Sequence, residues 1–257
     1  MYLQITTKCN MKCAHCCYSC TMRGKHGDFN VIRQSIYWAA EFMHNETISI
    51  GGGEPTLHPD FFKILKICLS EFDSVWLATN GSQTDIMLRL SNIIEDCDYE
   101  SFECDCDEET IEEYGCLCYE KYDTDLISNP ENKLSVALSQ DHFHSDINER
   151  IVNLWTKRAE NKRYHYEIRN VTKSNNGIIA EGRAKKTGSG WNKEDCVCAD
   201  LLIKPNGKIK LCGCKKSPII GNTYDGVIPK WENIIYNSGH FNDTRCHKSL
   251  LQKKTKD

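Results

Sequence analysis

Sixteen of the 257 residues are cysteine, and no other feature narrows the fold and chemistry of the chain as much. Thiols at this density serve as disulfide staples or as metal ligands, and the rest of the sequence decides between the two. Disulfide frameworks suit small secreted domains that cannot build a core. This chain is long enough to bury one sizeable core, and it opens on the alternating segment Tyr2-Leu3-Gln4-Ile5-Thr6 instead of a signal peptide. No apolar run approaches the length of a membrane span. Reduced thiols in the cytoplasm, several of them holding metal, are therefore expected. The formal net charge of −4 gives no electrostatic reason to expect nucleic acid as the main partner.

Strand-like and helix-like segments alternate from the first residue. Tyr2–Thr6, Thr47–Ile50, Ser74–Thr79, Leu134–Ser139 and Tyr164–Arg169 read as strands, and Ile178–Ala180 leads into Glu181-Gly182-Arg183-Ala184. Ile32, Ile36, Ala39 and Met43 fall at helical spacing within Asn30–His44. Further helices are predicted over Phe61–Phe72, Thr84–Ile94 and Asn148–Ala159. Tyr99–Cys104, in an acidic stretch, reads equally as a barrel strand or an insertion. Repeated strand–helix pairs imply an α/β fold with a parallel sheet. The pairs are too few for eight, so about six strands in a partial (β/α)6 TIM-like barrel with an open side are predicted over residues 1–186. Residues 187–257 read as a C-terminal extension, in which Leu201–Lys204 and Lys208–Leu211 flank Pro205-Asn206-Gly207, a strong hairpin signal.

Directly after the first strand stands Cys9-Asn-Met-Lys-Cys13-Ala-His-Cys16. Three thiolates at this spacing can wrap one corner of an iron–sulfur cubane and leave one iron without a protein ligand, open to a substrate or cofactor. The alternative is a zinc knuckle completed by Cys17 or Cys20. The second strand ends in Gly51-Gly52-Gly53-Glu54-Pro55. Glycines there let backbone carbonyls approach a ligand, and Glu54 supplies charge for a cationic one; the plain alternative is a tight strand-to-helix turn.

Together the two motifs closely resemble the radical S-adenosylmethionine (SAM) family, and the resemblance spans roughly Met1 to Lys186. It implies that Cys9, Cys13 and Cys16 hold an oxygen-sensitive 4Fe–4S cluster. His15 matches the usually aromatic position that packs beside the adenine of SAM. Gly51, Gly52, Gly53 and Glu54 match the turn that receives its methionyl amino group, and Thr79-Asn80-Gly81 resembles a segment lining the same pocket. Ser139 and Asp141 resemble the ribose-contacting positions, with Glu103 and Asp105 as the competing register. Arg183 resembles a cofactor-binding position near the last barrel strand, against the reading of a surface arginine. His142 and His144 flank Phe143 on a presumed mouth loop, as groups for substrate or proton transfer or as ordinary loop histidines. The family's chemistry implies reductive cleavage of SAM to a 5′-deoxyadenosyl radical, with reduced flavodoxin or ferredoxin as electron donor.

Cys196, Cys198, Cys212, Cys214 and Cys246 form a second group. Its start resembles the SPASM/twitch extensions that carry auxiliary clusters, but the later run of closely spaced cysteines is missing. One auxiliary iron–sulfur cluster, a zinc site and unligated thiols all remain open. Turn geometry offers a check: a two-residue Asn-Gly turn would put Cys198 and Cys214 on opposite faces, whereas one extra residue near Gly207 would bring Cys198, Cys212 and Cys214 to one face.

Three functions compete at this point. A radical SAM enzyme acting on a peptide or protein side chain leads, and it would need a leader-binding partner chain. A radical SAM catalyst on a small molecule, similar to 7-carboxy-7-deazaguanine synthase, comes second. A metal-binding interaction protein without catalysis is the third.

Overall fold

The computed structural model describes residues 1–43, 45–94, 133–139, 144, 147–160, 165–169, 182–188, 201–210, 213, 217 and 219–224. Five strands lie in one parallel array: β1 (Tyr2–Thr6), β2 (Thr47–Gly52), β3 (Ser74–Thr79), β4 (Leu134–Ser139) and β5 (His165–Arg169). Each pairs with its sequence neighbour, as in Ile50↔Leu77, Leu77↔Val136 and Ala137↔Glu167. Helices α1 (Phe29–Met43), α2 (Phe61–Glu71), α3 (Thr84–Ile94) and α4 (Glu149–Glu160) connect or follow them, and the short α5 spans Gly182–Thr187.

Strand alternation sorts the sheet into two faces. Leu3, Ile5, Ile48, Ile50, Leu77 and Val136 point outward into a continuous core. Ile32, Ile36, Ile64, Leu65 and Trp155 of the helices pack into that core from outside. Removing each such side chain from water contributes about 1.5–3 kcal/mol. On the opposite face stand Tyr2, Gln4, Ser49, Trp76, Ala78 and Ser135, a mix of small, polar and aromatic side chains, most of them only half-buried. The register aligns Tyr2 with Ser49, Ser49 with Trp76 and Trp76 with Ser135, so this inner face is one surface.

Local signals set the element ends. Asp28 Oδ1 accepts from the N–H groups of Asn30 and Val31 at 2.9 and 3.3 Å, capping α1. Asn45, with φ of 62°, closes the far end by donating from its N–H to Ala40 O at 3.0 Å.

The extension completes the sheet on the side of β1. β6 (Leu202–Ile203) pairs parallel with β1, β7 (Lys208–Lys210) returns antiparallel, and β8 (Ile219–Asn222) adds a strand that periodicity did not predict. The order is β5-β4-β3-β2-β1-β6-β7-β8, an open, parallel-dominated sheet. Its sixth parallel strand thus comes from the hairpin; Ile178–Ala180, which leads toward α5, lies outside the described residues. The hairpin loop holds three residues, not two. Lys204 N–H donates to Lys208 O and Leu202 faces Lys210, with Gly207 in the left-handed region at φ 75°. Gly207 is the extra loop residue; Cys196, Cys198, Cys212, Cys214 and Cys246 lie outside the described residues.

Candidate active site

The loop after β1 leaves and rejoins the sheet through a closed neck. Thr7 N–H donates to Lys25 O at 2.9 Å, Cys9 N–H to Thr21 O at 3.0 Å, and Gly27 N–H to Ile5 O at 2.9 Å. Within this neck the chain turns tightly, with Cys16 N–H on Cys13 O at 3.1 Å and Ser19 N–H on Cys16 O at 3.4 Å. The turn after β2 docks onto the same loop. Gly53 N–H donates to Thr6 O at 2.8 Å, Glu54 N–H to Lys8 O at 2.9 Å, and the Cys20 thiol to Gly52 O at 3.6 Å. A Cβ on Gly53 would collide with the Lys8 carbonyl, so only glycine permits this approach.

Glu54 ties the ends of β2 and β3 together. It is buried, and Oε1 accepts from Thr56 N–H at 3.1 Å, Thr56 Oγ1 at 2.6 Å and Thr79 Oγ1 at 2.7 Å. Oε2 accepts from Asn80 N–H at 2.7 Å, which leaves that oxygen one acceptor direction. Burial pushes the carboxyl pKa up, and the four donors pull it back toward the charged form. Asn80 continues the link to the cysteine loop: Nδ2 donates to Asn10 Oδ1 at 3.0 Å and lies 4.0 Å from Cys9 Sγ.

The C-terminal ends of β1 to β4 therefore border one open cavity of about 250 Å³. Cys9, Cys13, Cys16, Glu54, Asn80 and Ser139 line it, with Gly52, Gly53, Thr79 and His15. This is the end of an α/β sheet at which ligands bind. Residues 3–101 match the family model described as Radical SAM superfamily.

This matched segment, less than half of the chain, resembles the radical SAM superfamily. A segment of 95 residues, 37% of the chain, is 30% identical to mycofactocin maturase MftC of Mycobacterium ulcerans (strain Agy99). That alignment spans 26% of the maturase, about a quarter of its length. Among solved structures, BtrN in complex with AdoMet and 2-DOIA superposes with a TM-score of 0.53 at 13% identity, over 93% of this chain and 80% of that one. Native anSMEcpe with bound AdoMet and Cp18Cys peptide gives 0.50 at 14% identity, over the same 93% and 80%. At such identities these two neighbours establish the fold.

The radical SAM family implies a 4Fe–4S cluster and SAM, and the donor set fits the cluster. Burial raises the Cys9 thiol and pushes Cys13 up to about 11, and each is also raised by cysteines nearby. Thiols crowded in this way resist ionising alone, and bound iron reverses that by supplying positive charge. The Cys16 and Cys20 thiols act on each other, which lowers Cys16 and raises Cys20. Met11 N–H donates to Cys9 Sγ at 3.4 Å, a bond that suits a thiolate.

His15 meets His144 edge-on, with ring centroids 5.2 Å apart, and both line the cavity. Asp141, His142, Glu103 and Asp105 lie outside the described residues, as do Cys196, Cys198, Cys212, Cys214 and Cys246. Arg183 reaches the cysteine loop instead of the surface, donating to Cys13 O at 2.8 Å. Cys17 and Cys20, weighed above only as zinc ligands, line the same cavity. Sequence reasoning missed two aromatic walls, Tyr2 and Tyr18, whose rings stack at 5.8 Å. Alternation along β1 puts Tyr2 with Gln4 on the inner face and could have flagged it; Tyr18 carries no periodic signal.

Proposed function

We propose that this chain is a radical SAM enzyme whose thiols Cys9, Cys13 and Cys16 hold a 4Fe–4S cluster with one iron left for SAM. The observation that carries this reading is the docking of the Gly52-Gly53-Glu54 turn onto the three-cysteine loop, which brings the glycines, a carboxylate and the thiols to line one cavity. Held by Cys9, Cys13 and Cys16, a cluster would supply one-electron reduction of the SAM sulfonium, the chemistry that would yield methionine and a 5′-deoxyadenosyl radical able to take a hydrogen atom from substrate. The chain's own residues position and shield that chemistry. The carbonyls of the glycine turn and the remaining acceptor direction of Glu54 Oε2 suit an ammonium group. His15 and His144 offer ring faces for adenine, and Ser139 offers a hydroxyl at the mouth for ribose. Tyr2 and Tyr18 wall the cavity and keep water from a reactive carbon radical.

The electron is assigned to reduced flavodoxin or ferredoxin. A peptide or protein side chain is the substrate class we favour, on the name of the maturase similar to a 95-residue segment of the chain and on the peptide in one structural neighbour. The test is anoxic reconstitution with iron and sulfide, followed by dithionite and SAM. Formation of 5′-deoxyadenosine and methionine is expected; a cluster-loaded protein that leaves SAM intact would contradict the proposal.

A further inference from the structure

Four carbonyl oxygens of the cysteine loop end on the short helix α5. Arg183 donates from Nη1 to Cys13 O at 2.8 Å and from Nη2 to Cys20 O at 2.5 Å. Its backbone N–H donates to Cys16 O at 2.9 Å, and Thr187 Oγ1 donates to Ala14 O at 2.9 Å. Gly182 lies against the same loop so closely that a Cβ there would overlap the Cys17 carbonyl. These carbonyls belong to a segment outside both sheet and helix, so no regular ladder accounts for them, and backbone acceptors in folded proteins need partners. The arginine thus joins two points of the loop, Cys13 in the middle of the three ligands and Cys20 where the chain turns back toward Thr21.

We propose that Arg183 is a positioning residue for the iron–sulfur cluster: its guanidinium locks the Cys13 and Cys20 carbonyls, holds the three thiols in place, and favours the reduced cluster by its charge. The inference rests on the cluster reading above, and it assigns Arg183 to the protein side of the cluster, in place of the SAM contact that family resemblance suggested. Two physical effects are separable. The planar guanidinium bonds two acceptors at once, which a lysine ammonium on a flexible stem does not reproduce with the same rigidity. The charge acts independently of that geometry. A cluster on three thiolates gains one negative charge when dithionite donates an electron to it, and a fixed cation nearby stabilises the product.

The experiment compares the full-length wild-type chain, Arg183→Lys and Arg183→Gln, each reconstituted without oxygen. Three quantities are read without SAM: iron and sulfide per chain, the rate at which a ferrous chelator strips iron, and the cluster midpoint potential from spectroscopic titration. Arg183→Gln should release iron about tenfold faster, the scale of one lost charge-assisted bond, and its midpoint should move to more negative potential. Arg183→Lys should also release iron faster, yet keep a midpoint close to wild type, because it keeps the charge. Should the glutamine variant not fold, the lysine variant decides by its iron release alone. Wild-type release rates and a wild-type midpoint in both variants would overturn the inference. A wild-type chain that takes up no iron would overturn the cluster reading itself, and this inference with it.

Discussion

On the outer face of β1 the side chains are Leu3 and Ile5; on the inner face of the same strand they are Tyr2 and Gln4. The outer set repeats across β2, β3 and β4 as Ile48, Ile50, Leu77 and Val136, all sealed under helices. The inner set, continued by Ser49, Trp76, Ala78 and Ser135, does not build a second aliphatic core. One face supplies stability through burial. The other gives up that contribution and keeps a polar, walled space beneath the cysteine loop. The two jobs share one strand because the period of 2 separates them cleanly.

The comparison breaks most readily on the outer face. Leu77→Ala removes a fully buried side chain and should cost about 2–5 kcal/mol in denaturant unfolding, while iron bound per folded chain stays at wild type. Lost iron without lost stability would mean that the two faces are not separable.

Glu54→Gln sharpens the boundary between the faces, because Glu54 joins the ends of β2 and β3 at the mouth. The amide turns one of four accepted bonds into donor against donor, an expected loss of about 1–3 kcal/mol in stability. SAM affinity should fall with it, by roughly tenfold. Stability lost with affinity unchanged would make Glu54 a structural tie only.

The smallest expected effect is a pH dependence at the neck of the loop. Asp60 N–H donates to His58 Nδ1 at 3.1 Å, so Nε2 carries the proton and donates to Gly27 O at 3.0 Å. Burial lowers the His58 pKa below its ordinary 6.5. A base depressed by folding binds fewer protons folded than unfolded, so stability is full above pH 6.5 and declines as pH falls toward the folded pKa. His58→Gln should flatten this decline in thermal melts recorded between neutral and mildly acid pH. A part of the slope should survive, since burial and the Lys8 charge still lower His26 in the same window. A slope identical to wild type would remove His58 from the account.

Much of this was legible in the sequence wherever a local period reported it. Ser74–Thr79, Thr84–Ile94 and Leu134–Ser139 fall where alternation or helical spacing put them. The cysteine spacing and the glycine triplet pointed to residues that line one cavity, because each is a contiguous motif. What periodicity could not give were pairings between distant segments. Glu54 reads as charge for a ligand until Thr79 and Asn80, from the next strand, are seen on its oxygens. Arg183 reads as a surface or cofactor arginine until the carbonyl of Cys13, 170 residues earlier, is seen against it. β8 was illegible because Ile219-Ile220-Gly221-Asn222 is too short to show a period and forms only by pairing with β7.

The central claim is that Cys9, Cys13 and Cys16, and not the other two thiols in the cavity, hold a cluster that cleaves SAM. Single alanine variants at Cys9, Cys13, Cys16, Cys17 and Cys20, reconstituted together without oxygen and reduced with dithionite, test it most directly by their yield of 5′-deoxyadenosine. Cys9→Ala, Cys13→Ala and Cys16→Ala should give none, and Cys17→Ala and Cys20→Ala should retain cleavage. Undiminished product from Cys13→Ala, or its complete loss in Cys17→Ala, would contradict the claim.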